Sequence, residues 1–413
     1  MSVPKLRFKE FDGDWSLTTL NQLSTKIGDG IHATPKYDES GTIPFINGNN
    51  LVNGRVIINE NTKRISNEEF QKYNQVLSDR TLFLSINGTI GNLAFYKNEK
   101  VLLGKSVCFI NLKNDLDKKF IYLLLQSPQL TKTLNSELTG TTIKNLSLAT
   151  VRNSEFYCPI EAEQTKIASF LSVVDEKISQ LTQKHELLSQ YKQGMMQKLF
   201  SQQIRFKADD GSEFGEWEDL KICDLVRSLD AGVSVNSEDI KPTNDEYSVL
   251  KTSCISSGYF DENERKRVLL EEEINRLKEP VLDNSILMSR MNTPLLVGMN
   301  AYIEKAPKNT YLPDRLWQLK INADKVLTRW LAFYLGSENG LSQIRDLASG
   351  TSNSMKNIKK SDVLNLEIFV PSKEEQTKIA NFLSAVDQKI EVMAQQIEQA
   401  KTWKKGLLQQ MFV

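Results

Sequence analysis

The strongest constraint on this chain is a phrase that it carries twice. Residues Glu163–Ile178 read EQTKIASFLSVVDEKI, and Glu375–Ile390, 212 positions later, read EQTKIANFLSAVDQKI. Only Ser169/Asn381, Val173/Ala385 and Glu176/Gln388 differ. The match continues on both sides in the same register. Pro159 and Pro371 precede the copies, and Lys192–Phe200 (KQGMMQKLF) aligns without a gap on Lys404–Phe412 (KKGLLQQMF). Each copy is also preceded by a related opening: Arg7-Phe8 and Trp15 correspond to Arg205-Phe206 and Trp217, with a four-residue insertion between them. GTTIKN (140–145) similarly resembles GTSNSMKN (350–357). Between these landmarks the halves diverge. Internal self-similarity dictates architecture, and the order here is variable domain, shared segment, variable domain, shared segment.

The shared segment reads as a helix. A proline ends the preceding structure, and acidic residues (Glu161, Glu163; Glu374, Glu375) suit the positive end of a helix. Apolar residues then recur at alternating steps of four and three: Ile167, Leu171, Val174, Ile178, Leu181 and Leu188 in the first copy, Ile379, Leu383, Val386, Ile390, Met393 and Ile397 in the second. That is the seam of a coiled coil. The pattern resumes at Met195/Leu199 and Leu407/Met411. Helix over residues 163–200 would extend roughly 57 Å at 1.5 Å per residue. One apolar stripe cannot be buried alone, so each copy is the other's expected partner, paired antiparallel. His185 and Trp403 fall at or near the seam and are expected to pack. A break capped by Ser172 or Asp175 is possible. Gly194 and Gly406 suggest a bend or close helix approach, because glycine costs about 1 kcal/mol in a helix interior.

These patterns predict a mixed α/β fold class: two globular domains, 1–158 and 204–370, separated by spacer helices at 159–203 and 371–413, with a pseudo-twofold internal repeat. A length of 413 residues itself calls for about two to four domains. Both variable domains alternate short apolar runs with Gly and Asn, as strands joined by turns do. DKKFIYLLLQSPQLTKTL (117–134) and VLTRWLAFYLGSENGLSQI (326–344) read as helix, and ENERKRVLLEEEINRLKE (262–279) as a solvated one.

Composition excludes several function classes. No run of eighteen apolar residues exists, so no membrane span is expected, and the opening fifteen residues lack the apolar core of a secretory signal. Four scattered cysteines and two histidines make a zinc site improbable and point to a reduced, cytoplasmic setting. There is no phosphate-binding G-x-x-x-x-G-K-[ST] loop and no G-x-S-x-G nucleophile elbow. With 52 basic and 52 acidic residues the net charge is zero, so any polyanion partner must meet a locally basic face or a partner subunit's charge.

What remains is a set of loops that place amide and hydroxyl groups beside single cations. Asn pairs bidentately with adenine, Arg and Lys with guanine, and Thr with bases or phosphate. The candidate DNA contacts are His32, Lys36, Asn49, Asn50, Asn87, Thr89, Thr141, Thr142 and Lys144 in the first domain, and Arg290, Asn292, Arg315, Asn353 and Lys356 in the second. Gly/Asn/Ser/Thr loops are also ordinary surface turns; the repeat raises them above that.

The two EQTKIA helices after a proline, their K-x-G…F endings, the RF…G…W openings, DGIHATPKY…IPFI, SRMNT…LVG and LPDRL together make the whole chain resemble a specificity subunit of a type I restriction–modification system. The resemblance implies two target recognition domains, each reading half of a bipartite, asymmetric double-stranded DNA site, with the paired helices setting the gap. It implies no catalysis in this chain. Two methyltransferase subunits and ATP-driven restriction subunits would be partners, and S-adenosylmethionine, ATP and Mg would reside on them. The alternative is a coiled-coil protein–protein adaptor without DNA readout.

Overall fold

A computed structural model describes residues 3–73, 75–140, 144–243, 245–349 and 355–413. They form two compact units: 1–182 with 395–413, and 183–394. The division does not fall at the ends of the spacer helices. It passes through both of them, so each unit holds one recognition domain and part of each long helix.

The first unit contains a four-stranded antiparallel sheet in the order Ser24–Asp29, Val107–Leu112, Thr81–Ser85, Leu93–Phe95. The second repeats it as Val226–Ala231, Leu316–Ile321, Ser285–Ser289, Asn300–Ile303. A three-stranded sheet accompanies each. It is Arg64–Ile65, Ile43–Ile46, Leu102–Leu103 in the first unit and Arg265–Arg267, Ser248–Leu250, Thr310–Tyr311 in the second, with one antiparallel and one parallel pairing in both. A two-stranded ribbon closes each domain: Ser16–Thr19 with Glu155–Cys158, and Glu218–Lys221 with Glu367–Val370. Diverged sequences therefore build the same topology twice. All six residues of Val107–Leu112 are buried, so the strand is apolar on both faces except at Asn111, whose Oδ1 accepts from Thr81 Oγ1 at 2.6 Å.

The long helices run Glu161–Phe200 and Lys373–Met411, each without interruption, so the break considered at Ser172 or Asp175 does not occur. Within the first unit the first helix leads out and the second leads in, which makes the pairing antiparallel. Ile167, Leu171 and Val174 share a core with Leu407, Leu408, Met411 and Phe412, with Ile178 partly buried against it. In the second unit Ile379 and Leu383 share a core with Met196, Leu199 and Phe200. Leu181, Val386, Met393 and Ile397 are buried as the seam requires; Leu188 and Ile390 are only half-buried. Met196, not Met195, is the buried residue of its pair.

Other expectations are corrected. A Cβ on Gly194 or Gly406 would meet nothing within 4 Å, so neither glycine marks a close helix approach. Trp403 is 55% exposed, with its ring edge-on to Phe170 at 6.3 Å. The segment 262–279 is not a solvated helix. It gives the strand Arg265–Arg267 and a single turn, Glu271–Ile274, with Arg265 and Glu273 buried. The two apolar helical stretches each break in two. Ser127 caps Pro128–Ser136 after Lys118–Leu124, and Ser337 caps Glu338–Asp346 after Thr328–Gly336. A serine hydroxyl that satisfies orphan helix amides makes each break cheap.

The head of each long helix explains why EQ is repeated. Glu163 receives both arms of Arg7, Nε at 2.8 Å and Nη2 at 2.7 Å, and its side chain is 1% exposed. Glu375 receives Arg205 in the same way at 3.0 and 2.7 Å and is 0% exposed. The next residue is a buried glutamine in both copies. Gln164 accepts from Asp117 N at 3.0 Å and donates to Pro159 O at 2.9 Å; Gln376 accepts from Leu327 N at 2.8 Å and donates to Pro371 O at 2.8 Å. Each pair therefore ties the helix start, the domain's opening segment and the entry to a domain helix into one polar network. The copies differ at the tryptophan and the arginine: Trp217 Nε1 donates to Glu375 Oε2 at 3.1 Å and Arg205 Nη2 also donates to Gly215 O at 2.6 Å, whereas the buried Trp15 Nε1 has no partner among the described residues.

Removing one partner of a buried, bidentate ion pair leaves the other charge stranded. Glu375→Ala is expected to destabilise the second unit by about 3 kcal/mol, the lower end for such pairs because Arg205 is partly solvated. Glu163→Ala should cost about 1 kcal/mol less, since no indole N–H depends on it. Urea unfolding followed by tryptophan fluorescence measures both.

Candidate nucleic-acid interface

In the second domain, chain pairing gathers residues that lie far apart in sequence. Arg290 N donates to Arg315 O at 3.1 Å, and Ile358 N donates to Arg290 O at 2.9 Å. Met291–Asn292 pairs antiparallel with Lys356–Asn357, placing Asn292 opposite Lys356. Four of the five candidates from the second domain (Arg290, Asn292, Arg315 and Lys356) thus share one edge. Asn353 lies outside the described residues.

The first domain repeats these bonds with different side chains. Ile86 N donates to Ser106 O at 2.9 Å, and Leu146 N donates to Ile86 O at 2.8 Å. Asn87 bridges Asn145, and Asn145 exchanges two main-chain bonds with Thr139 at 2.8 and 3.0 Å. Ser349 and Asn357 do the same in the second domain at 2.9 and 3.0 Å. Asn87, Thr89 and Lys144 therefore occupy the counterpart of the Arg290 edge, and Gly88 N donates to Lys144 O at 3.2 Å. Thr141 and Thr142 lie outside the described residues. The turn Gly48–Asn50 packs beside this edge, with Asn92 Nδ2 donating to Gly48 O at 3.4 Å. Asn49 is exposed there. Asn50 spends its amide on the turn itself: its Oδ1 accepts from Asn47 N at 2.9 Å and its Nδ2 donates to Ile57 O at 3.0 Å.

His32 and Lys36 stand on the neighbouring exposed loop. His32 Nε2 lies 2.8 Å from Asp29 Oδ2, with the ring 73% exposed, and Lys36 N donates to Glu69 Oε1 at 3.1 Å. Close approach sets where this loop leaves the sheet. A Cβ on Gly30 would sit 2.2 Å from Leu103 O, and one on Gly232, at the matching place, 1.6 Å from Leu312 O. Only glycine permits that contact.

Sequence reasoning missed several residues. Lys105 is exposed at the turn next to Ser106, whose hydroxyl donates to Asn47 Oδ1 at 3.1 Å and accepts from Gly48 N at 2.9 Å. In the second domain a cavity of about 440 Å³ is lined by Arg290, Trp317, Asn357, Lys359, Lys360 and Asp230. The Arg290 guanidinium lies 6.0 Å from the Trp317 ring centroid, and its buried Nε has no hydrogen-bond partner among the described residues. Lys320 approaches Asp230 at 3.2 Å and Lys360 at 4.0 Å. Burial would raise the Asp230 carboxyl, but hydrogen bonds from Ser228 and Lys320 outweigh it and hold the group below its ordinary value. Lys320 also pairs with Glu279 at 2.9 Å, so Lys359 and Lys360 are the cations of this cluster better placed to neutralise a phosphate. Lys359 and Lys360 end the run KNIKK (356–360), but nothing local distinguishes them from solvated surface charges.

Among the described residues no group of three or more His, Cys, Asp and Glu is placed to hold a metal ion, and no helix is long and apolar enough to cross a membrane. All four cysteines are free thiols. Burial pushes the Cys158 thiol up to about 12, and Cys108 and Cys254 higher still, so these three lack the thiolate that nucleophilic chemistry needs.

Comparison with known proteins falls on the same two halves. The family model described as the type I restriction modification DNA specificity domain matches residues 12–190 and again 215–402. The type I restriction enzyme MjaVIII specificity subunit of Methanocaldococcus jannaschii is 24% identical over 416 residues, 97% of this chain and 94% of its own length. The type I restriction enzyme EcoEI specificity subunit of Escherichia coli is 23% identical over 350 residues, covering 79% of this chain and 56% of its own. Among solved structures, a type I restriction–modification S subunit from M. genitalium has a similar fold, with a TM-score of 0.57 at 17% identity over 100% of this chain and 99% of that one.

Proposed function

This chain belongs to the type I restriction–modification DNA specificity family, and from that premise we propose how it reads DNA. It is the sequence-specificity subunit of such a system and a non-catalytic one. Each domain reads one half of a bipartite, asymmetric double-stranded site through the edge built on Asn87, Thr89 and Lys144 or on Arg290, Asn292, Arg315 and Lys356. The single observation that carries this reading is the pair of equivalent edges. The same main-chain bonds recur in both domains, while the side chains they present differ. A shared frame with unlike side chains is what two half-sites of unlike sequence require. An adaptor that bound only protein would have no need of it.

The long helices act as the spacer. Forty and 39 residues without a break give rods of roughly 60 Å at 1.5 Å per residue. Methyltransferase subunits carrying S-adenosylmethionine, and restriction subunits carrying ATP and Mg, supply the chemistry. Phosphate contacts shared with those subunits would account for specific binding by a chain of zero net charge. Four free thiols suit the reducing cytoplasm in which such a complex would meet chromosomal DNA.

Exchanging residues 1–158 for the corresponding domain of a divergent relative tests the reading as a whole. Sequencing of methylated positions in a host should show one half of the site changed and the other intact; an unchanged site would mean that the domain does not read DNA. Arg290→Ala should weaken recognition at a single base pair of one half-site by about 1–3 kcal/mol, measured by binding to single-base variants. A loss that is equal across all sequences would reassign Arg290 to phosphate. Inserting four residues into one long helix, about 6 Å of added length, should lengthen the accepted gap or abolish activity. Methylation at the original spacing would rule out the spacer role.

A further inference from the structure

The two long helices meet in both units through a matched ion pair. Lys404 and Asp175 pair at 2.6 Å in the first unit, and Lys192 and Asp387 at 2.7 Å in the second. The residues correspond in the repeat, yet the second unit adds a third group from its recognition domain. Lys192 Nζ donates to the Tyr259 hydroxyl at 3.0 Å, and that hydroxyl donates to Asp387 Oδ1 at 2.8 Å. The ammonium also lies 4.9 Å from the Tyr259 ring centroid and 5.1 Å from that of Phe333. Burial raises the Tyr259 phenol above its ordinary value, so it remains a donor at neutral pH.

The placement of Tyr259 matters more than the strength of the contact. It follows Gly258, whose φ of +81° closes a turn with Gly258 N donating to Ile255 O at 3.0 Å. Ile255 and Cys254 belong to the core that also holds Leu250, Leu287 and Leu312, on the side of the three-stranded sheet. The helices are held by a different core, where Phe200 packs on Trp330 and Tyr334 and Leu383 is fully buried. The second domain is therefore attached to the helix pair at two separate places. Between them lies a cavity of about 950 Å³ lined by Tyr259, Lys192, Asp387, Tyr302, Arg329 and Phe333. The tyrosine thus spans open space instead of extending a packed core. A single attachment leaves the domain free to rock about it; a second one fixes its angle. In the first domain the corresponding turn at Gly54 is followed by Arg55.

We propose that Tyr259 is a positioning residue, and that its triangle with Lys192 and Asp387 fixes the angle of the second recognition domain on the paired helices, hence the gap that the subunit accepts. The proposal rests on the bipartite reading above. Tyr259 need touch no DNA; it acts through the rigid attachment of the edge that does.

The test uses the assembled complex with methyltransferase subunits and S-adenosylmethionine. Substrates are the cognate duplex, duplexes with the gap one base pair longer or shorter, and duplexes with a single change in either half-site. Tyr259→Phe keeps the ring and should leave the melting temperature in place. Its preference for the cognate gap should fall by about fivefold, the scale on which contacting residues couple, while base discrimination in the first half-site stays at the wild-type level. Asp387→Asn should do the same, and the double variant should be no worse than either single one. An unchanged gap preference in Tyr259→Phe, or additive losses in the double variant, would overturn the proposal. If the wild-type complex were itself indifferent to the gap, the bipartite reading would fall, and this proposal with it; a gap preference shared equally by wild type and Tyr259→Phe would remove the positioning role alone.

Discussion

Each long helix begins on a buried carboxylate held by both arms of an arginine from the start of its domain. The pair does what apolar packing cannot. A hydrophobic seam fixes which face of a helix is buried, but sliding along the axis costs it little. A bidentate Arg–Glu pair at 2.7–3.0 Å fixes the axial position as well. The adjacent glutamine uses both ends of its amide, accepting from the entry of a domain helix and donating to the carbonyl of the preceding proline. Every group in the network is directional, and its carboxylates and glutamines are buried, so losing an arginine strands a buried charge. This accounts for the identity of the two copies at Glu-Gln while the solvent-facing positions Ser169/Asn381 and Glu176/Gln388 vary.

With the helix head fixed, the rest of each domain can change freely provided its frame survives. The two four-stranded sheets share strand order and direction although their strands share little sequence. The edge that carries the candidate contacts hangs on main-chain bonds, from Ile86 to Ser106 in one domain and from Arg290 to Arg315 in the other. Backbone bonds ignore side-chain identity, so isoleucine, serine and two arginines occupy equivalent places without disturbing the scaffold. A subunit that confers sequence specificity needs this separation, because its contact residues must be free to change without disturbing the frame that holds them.

The asymmetry between the units is as informative as the repeat. Trp217 bonds to Glu375 where the Trp15 indole N–H has no partner among the described residues, and Tyr259 joins a cross-helix ion pair that stands as a simple pair in the other unit. The first domain has a tie of its own, Gln129 Nε2 donating to Gln409 O at 3.3 Å and to Phe412 O at 3.1 Å, so the two domains are held on their helix segments by different polar contacts.

The sequence by itself determined the architecture: the repeat, the two long helices, most of their buried seam and the mixed character of both domains. These rest on periodicity and local turn chemistry, which act over a few residues and leave a visible pattern. It also named most residues of the Arg290 edge, because loops rich in Asn, Thr and Arg stand out once a repeat has framed them. Tertiary structure decided everything that depends on distant segments meeting. It broke the two apolar helices at Ser127 and Ser337, turned Arg265–Arg267 into a strand and left Gly194 and Gly406 facing open space. It turned Asn50 inward, and it brought Lys359, Lys360 and Trp317 around Arg290. It alone revealed that Arg7 meets Glu163 across 156 positions and that Tyr259 meets Asp387 across 128. Such contacts carry no periodicity. Their partners are chosen by three-dimensional proximity, which no local stretch of sequence encodes.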